Sequence, residues 1–273
     1  MRRSLIGILC KNVDDTILES NLKNLETYVS CFDRFKILFV DGYSDNETLP
    51  RIHRWKESHP EWDITIRQQT LCTAVRPLSL ANARNDMMEW FEGYMNEYDF
   101  VLIMDFNQHN VRSIVKDDFL ACFGEDPSSW DALFPNQTDQ YYDIWALRTE
   151  ECPYDYQKHI RQNLGTFIHK KLQNDPNYQY ANDPLFHCYR NQLLQDCLEV
   201  HKTKIPTDSE KKPVWSAFGG AGLYRIDKLR GCRYSSHVLD QDRLYEVCEH
   251  VPFHEQLREK GGRLWICPRW INA

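Results

Sequence analysis

The feature that most constrains this chain is the run Phe100-Val101-Leu102-Ile103-Met104, closed by Asp105. Five apolar residues in a row, with a carboxylate at each end, fit a strand covered on both faces, as in a parallel sheet flanked by helices. Open sheets of that kind bind ligands outside the carboxyl ends of their strands. Asp105 then stands in a ligand crevice, and Asn107, two residues on, points the same way. Oxygen ligands there suit a hard divalent cation carrying phosphates, Mn2+ or Mg2+.

The segments before this run alternate in period. Leu5 to Cys10 reads as a first strand, and Leu18, Leu22, Leu25 and Val29 fall at helical spacing over about 14–30. Ile37 to Val40 reads as a second strand, running into the polar turn 41–46, with a helix expected over about 47–58. Asp63 to Arg67 alternates as a third strand. Leu80, Ala83, Met87, Phe91 and Tyr94 mark an amphipathic helix that Ser79 would cap. This order predicts an α/β fold, a Rossmann-like doubly wound sheet, mostly parallel, with right-handed crossovers.

The second half is less regular. It reads as a helix after 117, a strand near Ala132-Leu133-Phe134 and a tyrosine-rich stretch through Trp145. The polar, aromatic block 151–212 carries helical patches at 157–173 and 186–200. A helical segment over 240–260 and a closing strand, Leu264 to Cys267, complete the chain. The expected organisation is one domain, 1–273. Residues 1–115 form a nucleotide-binding half and 116–273 an acceptor half, with 151–212 as a helical insertion capping the sheet.

Composition narrows the classes. Net charge is -7 and the pI near 5.8, which argues against a nucleic-acid partner needing a basic face. Ten cysteines are scattered without a CxxC pair, so zinc-ribbon and thioredoxin-type chemistry is disfavoured. Cys10 and Cys267 lie in apolar runs, where free cysteine acts as a small hydrophobe. With no signal-peptide core and no membrane-length apolar stretch, a soluble protein in a reducing, cytoplasmic compartment is expected.

Several residues are candidates for chemistry, each with a plainer alternative. Asp105 either binds a cation or caps a turn. Asp41 ends the second strand and either accepts hydrogen bonds from a nucleotide or forms a turn before Gly42. Asp45 is a further nucleotide candidate or a helix cap. Asn12 lies in the loop after strand one. Arg84 and Asn85 either meet phosphate, base or Asp105, or form a solvated helix face. Gly219 and Gly220 either let backbone approach a sugar or make a tight turn. Glu249 and His250 offer a general base, and His254, one helical turn on, a metal ligand; a polar helix start is the alternative. Asp143 is a further base candidate, beside Tyr142 and Trp145, whose rings either stack on a sugar or belong to the core.

The succession Phe39-Val40-Asp41-Gly42-Tyr43-Ser44-Asp45, Ala83-Arg84-Asn85, Leu102 to Asn107, Phe218-Gly219-Gly220 and Cys248-Glu249-His250 resembles the nucleotide-sugar glycosyltransferases of the GT-A fold. It is similar also to the capsule-type mannosyltransferases. The pieces span about residues 4–270 in the family's order. The resemblance implies that Asp41 and Arg84 help hold the nucleotide and that Asp105 and Asn107 stand at the metal-binding Asp-x-Asp. It implies that Gly219 and Gly220 border the donor sugar or acceptor, and that Glu249-His250 stands where inverting members carry Glu-Asp. Two departures are evident: Asn107 replaces an Asp, and His250 replaces the base carboxylate. The implied activity is metal-assisted transfer of a sugar from a nucleoside-diphosphate sugar, a UDP-sugar first, to a hydroxyl of a carbohydrate or glycoconjugate acceptor. A sugar nucleotidyltransferase is the alternative, disfavoured because Lys11-Asn12-Val13-Asp14-Asp15 has no glycine to cradle a triphosphate. A non-catalytic nucleotide- or carbohydrate-binding protein is another.

Overall fold

The computed structural model describes residues 1–124, 127–153, 155–240 and 243–273. The first half alternates as expected. β1 (Arg3–Cys10), α1 (Asp15–Val29), β2 (Arg34–Asp41), α2 (Thr48–Glu57), β3 (Ile64–Gln68), α3 (Arg76–Glu92) and β4 (Phe100–Asp105) follow one another. Then come α4 (Lys116–Ala121), β5 (Ala132–Asn136), α5 (Tyr156–Asn174), α6 (Pro184–Cys197), β6 (Lys212–Val214), β7 (Ala221–Arg225) and α7 (Ile226–Leu229). β8 (His237–Asp240), β9 (Arg243–Glu246), α8 (His250–Glu259) and β10 (Leu264–Ile271) close the chain.

The eight-stranded sheet has the order β3-β2-β1-β4-β7-β5-β10-β6. All its strands run one way except β6 and β7. The sheet is therefore α/β and mostly parallel. Strand order reverses direction between β1 and β4, where Leu9 faces Asp105 across the ladder. That gap is the topological switch point, where crevices open at strand ends.

The pleat explains the core. Ile6, Ile8, Leu102 and Met104 belong to a buried cluster with Leu18, Leu22 and Leu25 of α1. Leu5, Leu9, Val101 and Ile103 belong to the cluster on the other face, with Met87 and Phe91 of α3. Gly7 lets α3 press onto β1, because a Cβ there would stand 2.6 Å from the Phe91 ring.

Three expectations need correction. Ser79 does not cap α3; the helix begins three residues earlier, with Pro77 in its first turn, where a missing N–H costs nothing. The segment before His250 is not helical but holds the hairpin β8–β9, whose residues 241–242 lie outside the described residues. Cys267 is not a free thiol: it is bonded to Cys122 of the α4 terminus, with Cα atoms 6.0 Å apart. Cys10 is free and buried, as expected. Among the described residues no helix is long and apolar enough to cross a membrane.

Candidate active site

Two cavities open along the carboxyl edge of the sheet and share Arg76, Leu80, Asp105 and Asn107. The first, about 580 Å³, crosses four strand ends: Gln69 beyond β3, Gly42 beyond β2, Cys10 to Asn12 at β1, and Asp105 to Asn107 at β4. Three inter-strand spacings of about 4.8 Å make this roughly 14 Å of groove. The second, about 390 Å³, lies towards Tyr142, Asp143, Trp145, Phe218, Glu249 and His250.

Asp105 sits at the junction. Both its carboxylate oxygens accept from Nη2 of Arg84, at 2.8 and 2.9 Å. Arg84 is 1% exposed and meets Glu249 Oε1 through Nη1 at 2.8 Å. Its guanidinium also lies over the Phe218 ring, 5.1 Å from the centroid. The helical face of α3 brings one cation to two carboxylates from chain positions 21 residues ahead and 165 ahead. Burial pushes the Asp105 and Glu249 carboxyls above their ordinary range, while Arg84 pulls both back.

Among the described residues no cation forms an ion pair with Asp143. It accepts from the backbone N–H of Gly219 at 3.0 Å and of Ala146 at 3.4 Å. Burial raises its pKa, against those two N–H groups. His250 stacks on Phe218 at 3.8 Å, and its Nδ1 has no hydrogen-bond partner. Burial, with Arg84 nearby, holds its pKa well below the ordinary histidine value, so the ring is neutral at pH 7. His109 and Tyr142 stack at 3.8 Å on the cavity wall.

The backbone that carries Asp105 is held by carboxamides. Asn110 Nδ2 donates to the Asp105 and Gly220 carbonyls at 2.7 and 2.8 Å. Asn272 Nδ2 donates to Asn110 Oδ1 and to the Gly219 carbonyl, both at 2.8 Å. Asn24 Nδ2 holds the Asn110 and Arg112 carbonyls.

Several sequence candidates are placed away from the cavities. Asp41 is fully buried, and its carboxylate closes the turn by accepting from Ser44 N and Oγ. Asp45 is exposed, lines neither cavity and does not cap α2, whose cap residue is Glu47. Asn85 pairs with the backbone of Tyr234, donating at 2.9 Å and accepting at 2.8 Å, so it ties α3 to residue 234. Gly219 and Gly220 have φ of 62° and 94° and are buried against Gln137, Asn110 and Asn272. They shape the wall behind Asp105 and Asp143. Asn12 does line the first cavity; its Oδ1 accepts from Asp45 N at 2.9 Å.

Lys11, Gln69, Arg76, His109 and Cys248, which sequence reasoning did not select, line the cavities. Lys11 follows β1 directly, and Arg76 opens α3 beside Pro77. Those positions are the only signals that could have found them.

The donor set does not fit a divalent-cation site of the expected kind. Both oxygens of Asp105 already accept from Arg84, which Asp105 shares with Glu249. Asn107 Oδ1 accepts from His109 N at 2.8 Å, as the cap of a short turn. His254 is fully buried on the inner face of α8, with Nδ1 on Ser216 Oγ at 2.9 Å and Nε2 on Tyr224 OH at 3.0 Å. It therefore has no lone pair to offer and lines neither cavity. Among the described residues no three His, Cys, Asp or Glu side chains are placed to share a metal ion.

No family model and no curated protein sequence matches the chain. Solved structures do. TarS 1–349 of S. aureus matches at 12% identity and TM-score 0.46, over 97% of this chain and 58% of that one. The mannosyltransferase PcManGT of Pyrobaculum calidifontis, in complex with GDP-Man and Mn2+, matches at 12% and 0.46, over 97% and 57%. GalNAc-T7 with UDP, GalNAc and Mn2+ matches at 10% and 0.48, over 98% and 43%. The chain spans about half the length of these structures.

Proposed function

We propose that this chain is a glycosyltransferase that moves a sugar from a nucleoside-diphosphate sugar, a UDP-sugar first, to a hydroxyl acceptor. One observation carries the reading: two cavities meet at Asp105 in the switch-point crevice, one lined by Lys11 and Arg76 and the other by the carboxylate of Asp143. The nucleoside occupies the side of Asn12, Gly42 and Gln69. The donor sugar lies at the junction, and the acceptor enters the second cavity against His109, Tyr142 and Trp145, beside the 151–212 block.

Of the three base candidates, Asp143 is the proton acceptor. Glu249 is committed to Arg84, and a proton placed on His250 would face the guanidinium in an apolar setting. Asp143 lines the second cavity, and burial lifts its pKa towards the range in which a carboxylate removes a proton well. Its carboxylate takes the acceptor proton as the hydroxyl attacks the anomeric carbon and the bond to the diphosphate breaks, which makes the transfer inverting. Glu249 and Arg84 are positioning residues for Asp105.

The test is a thermal-shift and calorimetric screen of UDP, GDP, CMP and their sugars, followed by transfer assays with Asp143→Asn. A ligand that binds only the folded state raises Tm. The expected result is a diphosphate-dependent shift, and a loss of transfer by about 10²–10⁴-fold in Asp143→Asn at unchanged nucleotide affinity. Absence of any nucleotide effect refutes the reading; binding without turnover on any acceptor makes the chain a binding protein.

A further inference from the structure

Resting on the nucleotide-sugar reading, the geometry points to Lys11 and Arg76 as the groups that hold the diphosphate, with no divalent cation required. The first cavity has three charged lining residues, Lys11, Arg76 and Asp105. Arg84 holds Asp105 from behind, at 2.8 and 2.9 Å. Two cations against one carboxylate leave this lining positive on a chain of net charge -7.

Among the described residues neither cation is hydrogen-bonded to or ion-paired with a carboxylate. Arg76 makes no hydrogen bond or ion pair with another described residue, and Lys11 Nζ touches only the Cys72 sulfur, at 3.7 Å. Both are exposed. Arg3 and Arg233, by contrast, are paired with Asp99 and Glu92. Arg76 lies close enough to Asp105 to lower that group's pKa, which places it at the shared wall of the two cavities.

The helix that carries Arg76 adds to this. α3 starts at the cavity with no side-chain cap and no acidic residue in its first turn. Its positive end therefore faces the groove unneutralised. An Arg fork binds phosphate oxygens bidentately, and a Lys supplies a point charge. Together they meet the charge that grows on a departing diphosphate, which is the role expected of a metal in the motif reading.

This separates from the parent reading in one experiment. UDP and inorganic pyrophosphate are titrated into the full chain by calorimetry, in 5 mM EDTA (about a usual chelating excess) and again with Mn2+, for the native protein, Arg76→Gln and Lys11→Gln. We expect UDP affinity to be equal within about threefold in EDTA and Mn2+, and to fall about tenfold or more in each variant, a loss of about 1.4 kcal/mol per tenfold. Circular dichroism and Tm check that these exposed substitutions leave the fold intact. UDP binding that appears only with Mn2+, or is unchanged in both variants, overturns this inference and leaves the nucleotide-sugar reading standing. No UDP binding under either condition overturns the parent reading itself.

Discussion

Replacing Arg84 with Gln tests the centre of the site most sharply. In the native chain one guanidinium, 1% exposed, meets two carboxylates at 2.8 Å, with Asp105 20% and Glu249 5% exposed. Breaking a buried pair by removing one partner costs about 3–5 kcal/mol, because the other charge stays buried and uncompensated. Here two charges are stranded, so the upper end, about 5 kcal/mol, is expected. For a chain of this size that is a fall in Tm of roughly 10–20 °C. The pH dependence follows from the direction of the shifts. Burial already raises both carboxyl pKa values, and loss of Arg84 raises them further. A group whose folded pKa lies above its unfolded value stabilises below the unfolded pKa and loses that contribution as pH rises through the folded pKa. The deficit of Arg84→Gln against native protein should therefore be largest at pH 8 and shrink towards pH 5. Adding Glu249→Gln should recover about 2 kcal/mol, by removing one stranded charge. Urea unfolding followed by tryptophan fluorescence at pH 8 and pH 5 measures all of this. A loss below about 1 kcal/mol, or a deficit that grows as pH falls, would refute the reasoning.

Further outcomes are open to measurement. Burial takes the His254 pKa down to about 3 from an ordinary 6.5. The unfolded chain then binds the extra proton, so stability present above pH 6.5 is lost as pH falls towards 3. His254 alone should account for about 1.4 kcal/mol between pH 7.5 and 5.5, seen as the slope missing in His254→Gln. Gly220→Ala should cost at least about 1–2 kcal/mol through its positive φ, and more because the new Cβ meets Asn110 Nδ2 at 2.8 Å. Nucleotide affinity should fall with it, since Asn110 carries the Asp105 backbone. Cys122→Ser should lower stability by about 2–4 kcal/mol in non-reducing urea melts, because the Cys122–Cys267 link closes a long loop. Identical melts for native and variant chains would mean that the thiols are not linked in solution.

Much of the first half was legible in the sequence because its periods are clean. β4 reads as buried on both faces since both faces are in fact helix-covered, and α1 shows its apolar stripe at Leu18, Leu22 and Leu25. α3 began earlier than expected because its start is marked by Pro77 and not by a capping hydroxyl. The β8–β9 hairpin is hidden in the sequence because His250 to Leu257 is helical and the charged residues before it show no clean strand alternation. At the site, chemistry singled out Arg84, Asp105, Asp143 and Glu249, and the structure brings them around one junction. What spacing could not convey was their partners. Asp41 spends its carboxylate on Ser44, three residues away, and His254 spends its ring on Ser216 and Tyr224. The carboxamides of Asn24, Asn110 and Asn272 look like ordinary surface residues until the fold joins them.

Asn272 bonds to Asn110 and to the Gly219 carbonyl, and so fastens the wall beneath Asp105 from 53 and 162 positions away. During synthesis, every other part of that wall emerges from the ribosome before its fastener does. The scaffold of the early strands can form on the growing chain, yet the crevice takes its working shape only once residue 272 arrives. Competence to bind a ligand thus waits on a residue far along the chain from the strand it supports.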